Sequence, residues 1–171
     1  MKRLFAVLLL SILMFGSTLQ AEGLCYSSSS KQYGESEDYA YSIATYNNVY
    51  CLVVQIGVVV NGSWDGSTFF PDPILKIRTF NQEVVTLKGT IVQPKTSYES
   101  IVGVDSKRKT LAYSMATFPV TAEDMEKIGH GISKLRLTTM PVNHEQSFKK
   151  DKLGLKLYQA YLETKAQEEN F

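Results

Sequence analysis

The chain has 171 residues, of which 18 are basic and 17 are acidic, and its formal net charge is +1. Lysine and glutamate are interspersed and form no basic face or stripe, so we expect no nucleic-acid partner. The sequence contains no phosphate-binding glycine loop and no Gly-x-Ser-x-Gly nucleophile elbow. These absences exclude the commonest signatures of nucleotide-binding proteins and serine hydrolases, and we expect no cofactor.

The first 21 residues have the layout of a secretory signal peptide. Lys2 and Arg3 precede an apolar stretch from Leu4 to Phe15, and small or polar residues then lead to Ala21. The apolar stretch is too short for a permanent transmembrane helix, so we predict cleavage after Ala21, with an uncleaved anchor as the alternative. The mature protein is expected to be periplasmic or secreted, with no stable membrane span.

Cleavage changes both the size and the charge of the protein. Removing residues 1–21 from the 171 leaves 150, a length typical of one domain, and lowers the net charge from +1 to −1. Residues 22–38 are polar and serine-rich, which predicts a flexible N-terminal arm. Residues 39–171 are predicted to form a single domain.

The two cysteines both lie in the mature chain. Leu24 directly precedes Cys25, and a bulky residue there is unsuited to lipid attachment. Because exported proteins meet an oxidising environment, we predict a disulfide between Cys25 and Cys51, which would fix the arm to the domain. Two free cysteines remain the alternative, since sequence spacing does not establish disulfide geometry.

The middle of the chain has the pattern of short β-strands. Residues 39–62 are rich in Tyr, Ile and Val, and Asn47 and Asn48 predict a turn between two strands. Further alternating segments predict two more hairpins, 74–80 with 84–92 and 97–104 with 110–118. The prediction is a mainly β protein, an antiparallel β-sandwich of about seven to nine short strands.

Helical patterns occur only near the C-terminus. Residues 121–129 begin with Thr121 as a possible N-cap, carry acidic residues in the first turn and stop at Gly129, which predicts a short helix. Residues 151–166 place Leu153, Leu157 and Tyr161 at helical spacing, which predicts a second helix packed against the sheets.

The segments FPVTAEDMEKIGHGISKLRL and FKKDKLGLKLYQAYLE, about a third of the chain, resemble the C-terminal half of uncharacterised exported proteins of anaerobic Gram-negative bacteria. In those proteins a short capped helix precedes a basic amphipathic strand, and the chain ends in a helix. The resemblance implies an exported β-sandwich-like fold. It implies no activity and no site residues.

Three aromatic residues near one loop are the best binding candidates. Trp64, Phe69 and Phe70 lie in or beside the glycine-containing segment 61–72, where they could form an exposed platform for a sugar ring or a protein. Core packing is the alternative use of such residues. The same segment has the spacing of a calcium loop but only two carboxylates, so we predict no metal there.

The function expected from these features is surface contact without catalysis. The first hypothesis is an exported β-sandwich that binds a protein or glycan partner. The alternative is a hydrolase or metal-dependent enzyme whose site is assembled across strands, for which His130 and His144 are the only histidines. If both histidines meet in a cleft with acidic residues, the enzyme hypothesis gains support.

Overall fold

The computed structural model describes residues 20–30, 36–62, 69–92, 97–102, 108–140 and 143–169. Most of the predicted signal peptide lies outside these residues, and so do Trp64 and half of the segment 61–72 considered for calcium. The two helices in the described part are too short, or not apolar enough, to cross a membrane.

The described residues form ten strands. In chain order they are β1 (Gln20–Ser30), β2 (Ser36–Tyr46), β3 (Val49–Asn61), β4 (Ile74–Thr79), β5 (Val84–Lys88), β6 (Thr90–Ile91), β7 (Ser97–Val102), β8 (Arg108–Pro119), β9 (Ile132–Leu137) and β10 (His144–Ser147). The large sheet has the order β1-β2-β3-β8-β6, and β7 also pairs with β8; the small sheet has the order β10-β9-β4-β5. All described pairings are antiparallel, which confirms the predicted sandwich-like architecture.

Strands β2 and β3 form the predicted hairpin and set the register of the large sheet. Asn47 and Asn48 have φ of 51° and 61°, the positive values that a two-residue type I′ turn requires. This turn pairs Tyr41 with Val54 and Ile43 with Leu52. Because side chains alternate between the faces of a strand, all four of these residues point into the core.

One core joins both sheets and the helices. Leu75 and Ile77 of β4 alternate with exposed residues, as do Val85 and Leu87 of β5, so one face of the small sheet is buried. This face and the inner face of the large sheet contribute to the same cluster of buried side chains. A second, much smaller cluster lies on the other face of the large sheet and contains Ala44, Val53 and Met115.

The two predicted helices are present. Helix α1 (Ala122–Gly129) starts at a capping box in which Thr121 and Asp124 exchange hydrogen bonds, and it buries Met125 and Ile128. Helix α2 (Gly154–Glu169) buries Leu157 and Tyr161 against the core. The apolar spacing in the sequence therefore identified the correct face of the C-terminal helix.

The segment predicted to be a flexible arm differs in the structure. Residues 20–30 form β1, which pairs along β2, and β2 itself begins at Ser36. Without β1, one edge of β2 would expose a row of unpaired N–H and C=O groups. Backbone pairing therefore orders a polar segment that has little apolar surface of its own to bury.

The structure does not show the predicted Cys25–Cys51 disulfide. Cys51 is a free thiol with 2% exposure, and burial raises its pKa. Cys25 belongs to β1 and Cys51 to β3, with β2 between them. Strands lie about 4.8 Å apart, so roughly 9–10 Å separates the two backbones, beyond the ~7 Å limit for Cα atoms joined by a disulfide.

Asp151 connects the start of α2 to the small sheet. Its Oδ1 accepts hydrogen bonds from the backbone N–H groups of Ile132 at 3.0 Å and Gly154 at 2.8 Å, with a longer bond from Leu153. Its Oδ2 accepts from the N–H of Leu155 at 2.8 Å. Partial burial disfavours the charged carboxylate, but these four donors together lower the pKa of Asp151 below its ordinary value.

We predict that Asp151→Ala lowers the free energy of unfolding at pH 7 by about 2–3 kcal/mol, because four backbone donors lose their acceptor. Since the pKa of Asp151 is lowered in the folded state, the difference in the free energy of unfolding between the wild-type protein and Asp151→Ala should disappear as the pH falls through and below about 4. Urea denaturation at several pH values measures this difference. Lys156→Ala on the exposed side of α2 is the control, and equal losses in both variants would contradict the proposed role of Asp151.

Candidate functional site

The structure buries the two described members of the predicted aromatic platform. Phe69 is 1% exposed and Phe70 is 0% exposed, so neither can stack on a ligand at the surface. The N–H of Phe69 donates to Ser114 Oγ in the large sheet, and its carbonyl accepts from Met140 N–H near the small sheet. The segment passes between the two sheets, so its aromatic rings fill the core and the platform prediction is wrong for these two residues.

The two histidines lie at opposite ends of β9. His130 precedes this strand, is exposed and contacts Glu83 Oε2 at 3.1 Å. His144 pairs with Leu137 at the far end. Five residue steps of about 3.4 Å separate the ends by roughly 17 Å. Among the described residues, no group of three or more His, Cys, Asp or Glu side chains is arranged to hold a metal ion.

His144 belongs instead to a cluster of polar side chains inside the sandwich. Alternate residues of β1, β2 and β10 point toward the same region between the sheets. We call the following seven residues the polar cluster: Tyr26, Ser28, Glu37, Tyr39, Tyr41, His144 and Gln146. Because β1 and β10 are the outermost described strands of their sheets, the polar cluster lies along one edge of the sandwich.

Tyr39 connects the two halves of the polar cluster. Its ring stacks on the imidazole of His144, with 3.6 Å between the ring centroids and 16° between the planes. Its hydroxyl donates to Glu37 Oε2 at 3.3 Å. Glu37 and Tyr39 are both 0% exposed, and both face inward because they are two residues apart in β2. Tyr39 therefore contacts the carboxyl group of Glu37 through its hydroxyl and the imidazole of His144 through its ring.

Gln146 ties the edge of the small sheet to the edge of the large sheet. Its Nε2 donates to the hydroxyl of Tyr26 at 3.2 Å. The ring of Tyr26 lies 6.1 Å from that of Tyr41 and 5.8 Å from that of Phe148. Aromatic rings therefore form much of the surroundings of the polar groups.

Four atoms of the polar cluster are buried and make no hydrogen bond in the described structure. They are Ser28 Oγ, Tyr41 OH, His144 Nε2 and Gln146 Oε1. A buried polar atom without a partner costs about 1–3 kcal/mol, and folded proteins leave few of them. Four such atoms on β1, β2 and β10 leave hydrogen-bonding capacity that a buried polar molecule, including water, could use.

The unpaired groups are uncharged at neutral pH. Desolvation lowers the pKa of His144 from its ordinary value near 6.5 to about 4, so the imidazole stays neutral. Burial, with a smaller contribution from Tyr26, raises the pKa of Tyr41 far above its ordinary value, so its hydroxyl remains a hydrogen-bond donor. The polar cluster therefore offers hydrogen bonds without a charge on these four atoms.

Sequence reasoning missed the polar cluster, although one signal was present. Glu37 has the same parity in β2 as Tyr39, Tyr41 and Ile43, so an acidic residue falls on the buried face of an otherwise apolar strand. A charged residue at such a position requires a partner inside the protein. The residues of β10 gave no comparable signal, because His144 is more than 100 positions away from Glu37 in the chain.

We predict that His144 makes the protein sensitive to acid between about pH 6.5 and pH 4. The unfolded histidine takes up a proton near 6.5 and the folded one only near 4, so falling pH favours the unfolded state across this interval. The free energy of unfolding should decrease by about 3 kcal/mol from this source.

His144→Phe keeps a ring beside Tyr39 and should remove this part of the acid sensitivity in urea denaturation curves. His130→Gln changes the exposed histidine and should retain it. If the wild-type protein and His144→Phe lose the same stability between these pH values, the buried and neutral state of His144 is contradicted.

Comparison with known proteins supplies no template for the polar cluster. No protein-family model, curated protein or solved structure matches this chain. The chemistry of the polar cluster is therefore defined by its own residues, their contacts and their burial.

Proposed function

We propose that this chain is an exported, non-catalytic β-sandwich protein that binds a ligand, and that the polar cluster is the binding site. The observation that carries the proposal is the set of four buried polar atoms on β1, β2 and β10 that have no hydrogen-bond partner among the described residues. A ligand that completes these bonds gains more binding free energy than it would from the same bonds at the surface, because water already satisfies polar atoms there.

The position of the polar cluster supports binding from one side of the sandwich. Tyr26 lies on β1 and Gln146 on β10, the outermost described strands of the two sheets, so a ligand that enters between these strands meets both residues. Strand β10 has only four residues and pairs only with β9 among the described strands. A short edge strand opens at a lower free-energy cost than a central one, which favours this side as the path for the ligand.

An enzyme is the alternative, because Ser28, His144 and Glu37 belong to the same polar cluster. A serine nucleophile requires a base within hydrogen-bond reach. Ser28 Oγ and His144 Nε2 each lack a hydrogen bond within the part of the chain that the structure describes, so they are not bonded to one another. The pKa of about 4 also makes His144 a weak base at neutral pH. Binding without catalysis is therefore the better-supported function.

Export is supported by the order of charged, apolar and small residues in the first 21 positions. It also agrees with the resemblance of the C-terminal third to exported proteins. In an oxidising compartment the Cys25–Cys51 disulfide would require β1 to leave its place beside β2, so we propose that Cys51 remains a thiol in the folded protein.

Expression of the full chain in a Gram-negative bacterium tests export. We expect the protein in the periplasmic fraction, with a mass that corresponds to a chain starting at Glu22. The control is the same chain without residues 1–21, which should remain in the cytoplasm. Recovery of the uncleaved full chain in the cytoplasm would contradict export.

Alkylation of the denatured, unreduced protein should modify Cys51. Labelling of Cys51 only after reduction would instead show a disulfide.

Nuclear magnetic resonance of the purified mature protein tests the binding site. In a panel of neutral, anionic, cationic and apolar small molecules, at least one should shift the amide signals of β1, β2 and β10. Signals of α1 should not move, because none of its residues belongs to the polar cluster. If none of the compounds moves the signals of the three strands, the proposed binding function is contradicted.

A further inference from the structure

The unpaired atoms of the polar cluster define the hydrogen-bonding character of the ligand. Ser28 and Tyr41 present hydroxyl groups, which can donate and accept, whereas Gln146 Oε1 can only accept. His144 Nε2 acts as donor or acceptor according to its tautomer. A ligand that satisfies all four atoms therefore has to donate and accept at several positions, which is the property of a molecule with several hydroxyl groups.

The electrostatics of the polar cluster disfavour an anion. The carboxyl group of Glu37 is completely buried and accepts a hydrogen bond from Tyr39, whose ring stacks on His144. A ligand carboxylate or phosphate would lose its hydration in this buried region, and the neutral imidazole of His144 would offer it no positive charge. The four unpaired atoms themselves carry no charge to neutralise an ionic ligand. These features favour a neutral ligand.

Aromatic rings beside the unpaired atoms supply the apolar contacts. The ring of Tyr26 packs near two other rings, with its centroid 6.1 Å from that of Tyr41 and 5.8 Å from that of Phe148. Tyrosine and phenylalanine rings bury apolar surface, and the C–H groups of a sugar ring present such a surface beside its hydroxyl groups. A polyhydroxylated ring thus matches both kinds of group in the polar cluster.

We propose that the ligand of the polar cluster is a small neutral carbohydrate or polyol, bound through Ser28, Tyr41, His144 and Gln146. This inference rests on the proposed binding function and specifies the ligand class for the same site. Tyr41 and His144 support the inference most directly, because their unpaired atoms belong to side chains that are only 1% and 5% exposed.

The experiment compares the wild-type protein with Tyr41→Phe, using D-glucose, D-galactose, D-mannose and myo-inositol as probes. Calorimetric titration of the mature protein measures affinity, and amide shifts show where each probe binds. At least one probe should bind at β1, β2 and β10. Tyr41→Phe should bind that probe about tenfold more weakly, because it lacks one hydrogen bond to the ligand.

Tyr41→Phe is a suitable variant because the hydroxyl that it removes makes no hydrogen bond in the described structure. Its melting temperature in the absence of ligand should therefore be equal to or above that of the wild-type protein. Tyr158→Phe on α2 is the matched control and should leave both the affinity and the binding position unchanged. A stable Tyr41→Phe with unaltered sugar affinity would overturn the assignment of Tyr41.

Further outcomes separate this inference from the proposed function. If charged or apolar compounds bind at the three strands and none of the four probes does, the carbohydrate inference fails and the binding function stands. If no compound binds at the three strands, both fail.

Discussion

The register between β2 and β3 determines which side chains face the interior, and the polar cluster depends on it. The positive φ values of Asn47 and Asn48 fit a two-residue turn, and this turn pairs Tyr41 with Val54. A shift of one residue would turn Glu37 and every alternate side chain of β2 to the opposite face. The same backbone constraint thus creates the apolar core and places a carboxylate at one end of it.

The two sheets meet differently along the core. In most of it, aliphatic and aromatic side chains from both sheets and the helices pack together. At the edge formed by β1 and β10, the contacts are the stacking of Tyr39 on His144 and the hydrogen bond from Gln146 to Tyr26. A purely apolar contact there would give greater stability, because buried polar atoms without partners are unfavourable. Departures from the stable arrangement often coincide with functional sites, which agrees with binding in this region.

Local patterns in the sequence predicted much of the fold. Thr121 and the acidic residues after it indicated α1, the spacing of Leu157 and Tyr161 indicated the buried face of α2, and the two asparagines indicated the first hairpin. Each of these signals comes from residues that are close in the chain. The pairing of β1 with β2 was missed, because the polar composition of β1 conceals a strand that is held by backbone hydrogen bonds.

The candidate site was less predictable than the fold, because its contacts join distant parts of the chain. Tyr26 and Gln146 are 120 positions apart, and no motif links them. The aromatic pair Phe69 and Phe70 was assigned to the surface from the turn residues around it. Its burial follows from the path of the chain between the sheets, which composition does not reveal.

A high-resolution crystal structure of the protein, purified from the periplasmic fraction of cells that express the full chain, is the most direct test of ligand binding in the polar cluster. We expect density for a bound organic molecule that contacts Ser28 Oγ, Tyr41 OH and Gln146 Oε1. Side chains that pair with one another there, or density for water alone, would contradict it.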